Sequence, residues 1–251
     1  MVENLFPIFA SMQDCRNYAV QMSIIADALL ELAADKFLQG LFPELEQASC
    51  AFTTAVGEGD PERVELGLAR LYTLLHGAGQ NYSEAERRLL QQRGGYYCYA
   101  AGLSPLLHAR DFVKPQTISA DLGAGNGLQG LLLQRLYPHH KTIQIELSRS
   151  LIEAGLHLQR VLGILEQRVE WIRADLAETP FDRADFIYLY RPARPQGGGR
   201  ELYQSIAKRL SECPGPLVVF SVADCLGQFL DARFSVFYSD GHLTCFRKER
   251  D

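Results

Sequence analysis

The sequence lacks several features that would assign it to a specialised class of protein. No apolar run approaches the ~20 residues needed to cross a bilayer. The acidic start, Met1-Val2-Glu3-Asn4, lacks the basic region of a secretory signal peptide. The six cysteines include no CxxC pair, which favours reduced thiols over a metal site or a disulfide framework. We therefore expect a cytoplasmic protein without a bound metal. The cysteines are Cys15, Cys50, Cys98, Cys213, Cys225 and Cys245.

Clustered positive charge is also scarce. The net charge is −5, and residues 1–95 carry 7 Lys+Arg against 13 Asp+Glu. A surface that follows a phosphate backbone usually carries clustered Lys and Arg. The nearest approach is the tail Arg247-Lys248-Glu249-Arg250. The sequence therefore disfavours nucleic acid as a partner.

The first 95 residues read as helices. Between about residues 15 and 41, apolar residues recur every three or four positions, the period of an amphipathic helix. Asp60-Pro61 and His76-Gly77 mark the start and end of a second helix. Ser83 begins a third, with Glu86 completing a capping box. We predict an all-helical unit over residues 1–95 and a second domain over 96–251, with no internal repeat.

After Gly94-Gly95 the pattern changes to short apolar runs that alternate with helical stretches, as in consecutive βα units. Near the end, Asp240-Gly241 separates two short strands and indicates an antiparallel hairpin. The prediction is an α/β fold with a mostly parallel sheet. Strands are expected at about 117–122, 141–146, 169–174, 184–190 and 216–222, and helices at about 127–136, 149–163 and 200–211.

The most informative motif is Asp121-Leu122-Gly123-Ala124-Gly125-Asn126-Gly127, at the end of the first strand. Its glycines let the backbone turn sharply and approach a ligand closely. With the closing hairpin, residues from about 95 to 250 resemble class I S-adenosylmethionine-dependent methyltransferases, whose first motif is D/E-x-G-x-G-x-G. The resemblance implies a seven-stranded sheet with a reversed last strand. It also implies S-adenosylmethionine as cofactor, with this loop under its methionine part and Asp121 at its ammonium group.

Two further carboxylates end the next two strands. By the same resemblance, Glu146, followed by Leu147, accepts hydrogen bonds from the ribose hydroxyls. Asp175 accepts one from the adenine amino group, and Ala174 and Leu176 flank the ring. Each acid has a structural alternative: Glu146 can be a first-turn carboxylate of the following helix, and Asp175 can be an N-cap.

The fourth strand ends at Tyr188-Leu189-Tyr190-Arg191-Pro192, where this family meets its substrate. The sequence lacks the Asn-Pro-Pro-Tyr tetrad of relatives that methylate planar amino groups. Tyr188 and Tyr190 are candidate bases, and Tyr190 also a candidate cofactor contact. Arg191 suits a carboxylate or phosphate, or forms only a salt bridge. The tyrosines of Tyr96-Tyr97-Cys98-Tyr99 are candidates for contact with cofactor or substrate, or for core packing.

Three functions are compatible with these motifs. The first is a methyltransferase acting on a small molecule or a protein side chain. The second is an NAD-dependent oxidoreductase, because Gly125-Asn126-Gly127-Leu128-Gln129-Gly130 also fits G-x-G-x-x-G and Glu146 suits a ribose. The third is a non-catalytic domain that binds adenosyl ligands. The helical unit is expected to act as a lid that selects the substrate, with a homodimer surface as the alternative.

Overall fold

The structure, a computed structural model, describes the backbone of residues 12–97, 99–100 and 102–249, and side chains from residue 16 onward. The predictions for Met1-Val2-Glu3-Asn4, Cys15, Cys98 and Arg250 lie outside this part. Cys50, Cys213, Cys225 and Cys245 form no disulfide. No helix in the described ranges is both long and apolar enough to cross a membrane.

Five helices lie in the described part of residues 1–95. The predicted caps are present: the Asp60 side chain accepts from the Arg63 N–H at 3.1 Å, and Ser83 and Glu86 form the capping box. The prediction of a single helix over residues 15–41 is wrong. The first helix ends at Ala33, and the Asp35 carboxylate caps a new helix. The helices are α1 Met12–Ala33, α2 Lys36–Leu41, α3 Glu44–Glu58, α4 Pro61–His76 and α5 Glu84–Gln92.

The predicted sheet is confirmed. Seven strands lie in the order β3-β2-β1-β4-β5-β7-β6; β1 to β5 are parallel, and β7 is antiparallel to both neighbours. The strands are β1 Ile118–Leu122, β2 Lys141–Glu146, β3 Val169–Arg173, β4 Phe186–Tyr190, β5 Leu217–Val222, β6 Phe234–Ser239 and β7 Leu243–Lys248. The remaining helices are α6 Ser104–His108, α7 Leu128–Leu136, α8 Arg149–Val161 and α9 Gly198–Glu212.

Different helices pack against the two faces of the sheet. Asp121 lies opposite Gln144 on β2 and Tyr188 on β4. This face shares one hydrophobic cluster with α1, α4 and α7. The other face, including Ile187, packs against α9. The helical unit is thus joined to the sheet by a common core, and the domain boundary at residues 95 and 96 stays a prediction.

Candidate functional site

A cavity of about 340 Å³ lies at the carboxyl edge of strands β1 to β4. Parallel α/β sheets bind their ligands at this edge. The helical unit supplies one wall through His76, Tyr82, Leu89, Leu90 and Arg93. The predicted site residues that line the cavity are Asp121, Gly123, Ala124, Gly125, Glu146, Leu147, Ala174, Asp175, Leu176, Tyr188, Tyr190 and Arg191.

Two residues predicted to bind the cofactor, Asn126 and Gly127, do not line this cavity. The Asn126 side chain is fully buried and donates to the carbonyl oxygens of Leu75, at 2.8 Å, and Ala78, at 3.2 Å. Gly127 has a φ of 68°, and a Cβ there would lie 2.3 Å from the Trp171 ring. Asn126 therefore ties the loop to α4, and Gly127 lets α7 begin against the sheet.

Asp121 is an acid of the cavity with a strongly shifted pKa. Burial, together with the nearby Glu146 carboxylate, raises its pKa to about 8. Within the described residues no hydrogen bond to its carboxyl group is found. A buried acid without a protein partner, facing a cavity, favours a ligand that carries positive charge there.

Glu146 supports the glycine loop from the next strand. One carboxylate oxygen accepts from the Gly125 N–H at 2.9 Å and the other from the Ser148 N–H at 2.8 Å. Burial raises its pKa, and these backbone hydrogen bonds lower it in part. Glu146 is the last residue of β2, and α8 has no acidic residue in its first turn, so the first-turn role considered from sequence is wrong. The carboxylate instead accepts from two backbone N–H groups before the helix. It leaves room for a ligand, because each carboxylate oxygen has a further lone pair.

Asp175 is held from two sides at the end of β3. Its Oδ1 accepts from the Ala177 N–H at 2.8 Å, the turn contact considered from sequence. Its Oδ2 accepts from the Arg93 guanidinium at 2.9 Å and 3.1 Å. Arg93, just after α5, thus links the helical unit to the third strand-end acid.

Unpaired hydrogen-bond donors accompany Asp121 at the base of the cavity. The Gln129 amide oxygen accepts from the Tyr72 hydroxyl at 2.6 Å, but the Gln129 Nε2 atom is buried without a partner in the described structure. The Tyr188 hydroxyl is buried without a partner there as well. Both residues line the cavity. Orphaned buried donors are costly in a folded protein, so they favour an acceptor atom of a water or a ligand at this point.

The chain that follows α5 runs across the mouth of the cavity. Gly95 and Ala193 form an antiparallel bridge, and the Tyr96 N–H donates to the Pro192 carbonyl at 3.0 Å. Tyr96, Tyr97 and Tyr99 line the cavity. The tyrosine cluster predicted from sequence therefore lies beside the end of β4.

Sequence reasoning missed the cavity residues that the helical unit contributes. His76 ends α4, and burial lowers its pKa to about 4. Arg93 and Gln129 were missed too. No local pattern marks these side chains, because they reach the cavity only through the packing of α4, α5 and α7 around it.

Comparison with known proteins finds only distant similarities. No family model matches the sequence, and no curated protein matches it. Among solved structures, TrmN from Thermus thermophilus is 18% identical over 59% of this chain and 47% of that chain, with a TM-score of 0.45. The putative methyltransferase yhhF from Escherichia coli is 15% identical over 59% and 85%, with a TM-score of 0.47. A putative rRNA-methylase from Clostridium thermocellum is 16% identical over 59% and 94%, with a TM-score of 0.46.

The strand order decides the fold. A doubly wound dinucleotide-binding sheet ends with a sixth parallel strand beside the fifth. Here the reversed β7 lies between β5 and β6. The chain has the class I methyltransferase fold. The likeness covers about half of the Thermus protein and most of the other two chains, and it extends to architecture alone.

Proposed function

We propose that the protein is an S-adenosylmethionine-dependent methyltransferase. The observation that carries the proposal is the convergence of Asp121, Glu146 and Asp175 on one cavity, from the ends of three successive parallel strands. Asp121 is buried and lacks a protein partner in the described chain, which suits the cofactor's ammonium group. These three side chains are therefore the basis for assigning a cofactor to this fold.

The residues present fit this cofactor from end to end. The turn at Gly123, with a φ of 81°, would pass under its methionine part. The unpaired donors of Gln129 and Tyr188 suit the carboxylate next to the ammonium group that Asp121 would hold. Glu146 would bind the ribose and Asp175 the adenine amino group. When bound, the sulfonium supplies a methyl group that is already activated for transfer.

The protein's contribution to the reaction is then mainly orientation and exclusion of water. Burial raises the pKa of the Tyr188 hydroxyl far above its usual value, so Tyr188 stays protonated and acts as a donor. Burial also raises the pKa of Tyr190. Burial lowers the pKa of His76 to about 4, so its imidazole is neutral near pH ~7 and is a weak base.

The oxidoreductase alternative loses support at the start of α7. Dinucleotides place their pyrophosphate on the helix N-terminus after the glycine loop. Here Asn126, Gly127 and Leu128 are buried, and the Asn126 side chain accepts from the Leu128 N–H at 3.3 Å. The N-terminus is thus covered by protein. The non-catalytic alternative is separated from the enzyme only by measured turnover.

For the acceptor we favour a small molecule or a protein side chain. The basic tail considered from sequence is taken up by structural contacts: Lys248 is 3% exposed and donates to the Ser211 carbonyl at 2.9 Å. The Arg247 guanidinium lies 5.0 Å from the centre of the Phe237 ring. Lys248 is thus closed to a phosphate, and the Arg247 guanidinium lies 3.9 Å from the Glu249 carboxylate, which offsets its charge.

RNA is the second candidate acceptor, because aromatic and basic side chains lie together at the mouth. Tyr97 is 44% exposed and Tyr99 61% exposed. Arg191 and Arg194 are exposed nearby. Exposed rings and arginines can stack on unpaired bases.

Two measurements test the proposal. Calorimetry should show binding of S-adenosylhomocysteine and much weaker binding of NAD; tight NAD binding without heat from S-adenosylhomocysteine would overturn both cofactor and reaction. Incubation with labelled S-adenosylmethionine and separate pools of RNA, protein and metabolites should then place label in protein or metabolites. Label in RNA alone, with affinity falling steeply as salt rises, would establish the second candidate.

A further inference from the structure

Two arginines converge on one tyrosine ring at the mouth of the cavity. The Arg191 guanidinium carbon lies 5.2 Å from the centre of the Tyr96 ring, and that of Arg194 lies 5.9 Å from the same centre. The described ion pairs engage other arginines, such as Arg93 and Arg183, and none includes Arg191 or Arg194. Both cations are therefore held beside the same ring, and neither forms an ion pair with a carboxylate in the described chain.

The backbone at this point is strained. Arg191 has a φ of 27° and Ala223 a φ of 49°, and they are the non-glycine residues with positive φ in the described ranges. They directly follow β4 and β5, which are adjacent parallel strands. Both line the cavity. Strained non-glycine residues persist where the surroundings hold them, and they cluster at ligand sites.

Backbone hydrogen bonds with residues 94–96 also fix the segment that carries Arg191. The Tyr96 N–H donates to the Pro192 carbonyl at 3.0 Å, and the Arg194 N–H donates to the Gly94 carbonyl at 2.9 Å. This pairing holds the ring beside both guanidiniums. The ring face attracts each cation, which lowers the cost of placing them together while leaving their N–H groups available.

We propose, on the basis of the methyltransferase function above, that Arg191 and Arg194 form an oxyanion site for a small acceptor that carries a terminal phosphate or carboxylate. A planar guanidinium binds either group through paired N–H donors. The site lies at the end of β4, whereas the three acids lie at the ends of β1, β2 and β3. An anion held there would leave the rest of the acceptor to extend into the cavity.

The test uses phenyl phosphate, benzoate and phenol as probes with the full chain saturated by S-adenosylhomocysteine. Calorimetry should show binding of both anions and at least about tenfold weaker binding of phenol. The variant with Arg191→Gln and Arg194→Gln should bind the anions at least about tenfold more weakly, because charge-assisted hydrogen bonds are lost. Its melting temperature and its affinity for S-adenosylhomocysteine should match those of the unchanged protein.

Arg70→Gln is the matched control, because Arg70 is an exposed arginine on α4 that does not line the cavity. It should bind the anions like the unchanged protein. Equal affinity for phenol and phenyl phosphate, or undiminished anion binding by the double variant, would overturn the proposal. So would the absence of anion binding up to about 10 mM, a range in which even weak sites are detected.

A short single-stranded RNA provides the remaining arm. If it displaces phenyl phosphate with an affinity that falls steeply with salt, the arginines belong to a polynucleotide groove and the small-acceptor proposal is wrong. Failure of the cofactor proposal has a different signature, the absence of heat from S-adenosylhomocysteine. The probes alone would then still report on the arginine pair.

Discussion

Replacing Asp121 by asparagine should remove most of the pH dependence that this site gives to the stability of the unliganded protein. The Asp121 pKa is about 8 in the folded protein, against an ordinary value of 3.8. Between these values the folded protein keeps a proton that the unfolded chain releases. Its contribution to stability is therefore present at low pH and is lost as pH rises toward 8.

The size of the effect follows from that shift. Each pH unit in this window costs about 1.4 kcal/mol of unfolding free energy. From about pH 5 to about pH 7 the unchanged protein should lose on the order of 3 kcal/mol through Asp121. The amide introduced by Asp121→Asn has no titrating proton, so this variant should lose correspondingly less over the same range.

Urea unfolding at a series of pH values measures this difference. Asp27→Asn is the matched control, because Asp27 is exposed on α1 and does not line the cavity; it should keep the slope of the unchanged protein. Identical slopes for the Asp121 variant and the unchanged protein would refute the reasoning. A second readout is proton release: binding S-adenosylhomocysteine near pH ~7 should release protons from Asp121, seen as a buffer-dependent heat.

Three further substitutions separate ligand contacts from support of the loop. Glu146→Ala should weaken S-adenosylhomocysteine binding by about 1.5–3 kcal/mol. It should also lower the unfolding free energy by about 1–3 kcal/mol, because two backbone N–H groups lose their acceptor. Unchanged affinity in calorimetry would show that Glu146 does not contact the ligand. Asn126→Ala should lower the unfolding free energy by about 1–3 kcal/mol in urea, and an unchanged value would contradict its tethering role. Gly127→Ala should cost about 1–3 kcal/mol through its positive φ and its contact with Trp171, and a melting temperature equal to that of the unchanged protein would contradict this.

The sheet could be predicted from sequence because its signals are local. Each strand is a short apolar run bounded by polar residues, and Asp240-Gly241 marks the hairpin at β6 and β7. The break between α1 and α2 was harder to predict. Apolar periodicity continues through it, and only the Asp35 side chain, which accepts from the Leu38 N–H at 3.0 Å, redirects the backbone.

The site was predictable to the extent that its residues follow strands. The ends of neighbouring parallel strands meet at one edge, so Asp121, Glu146 and Asp175 could be brought together from their positions alone. The cavity wall that the helical unit supplies could not be predicted in this way. His76 and Arg93 depend on how α4 and α5 pack against the sheet, which is a consequence of long-range burial with no local marker.

Within the glycine loop, the structure divides residues that look alike in sequence. Gly123 and Gly125 line the cavity, whereas Asn126 and Gly127 point to the interior and hold α7 against α4 and Trp171. One face of the loop is thus fixed by protein, and the other faces Asp121 and the unpaired donors of Gln129 and Tyr188. A loop fixed on one side need not reorganise when a ligand arrives on the other. That preorganisation is what the proposed methyl transfer would require to align donor and acceptor.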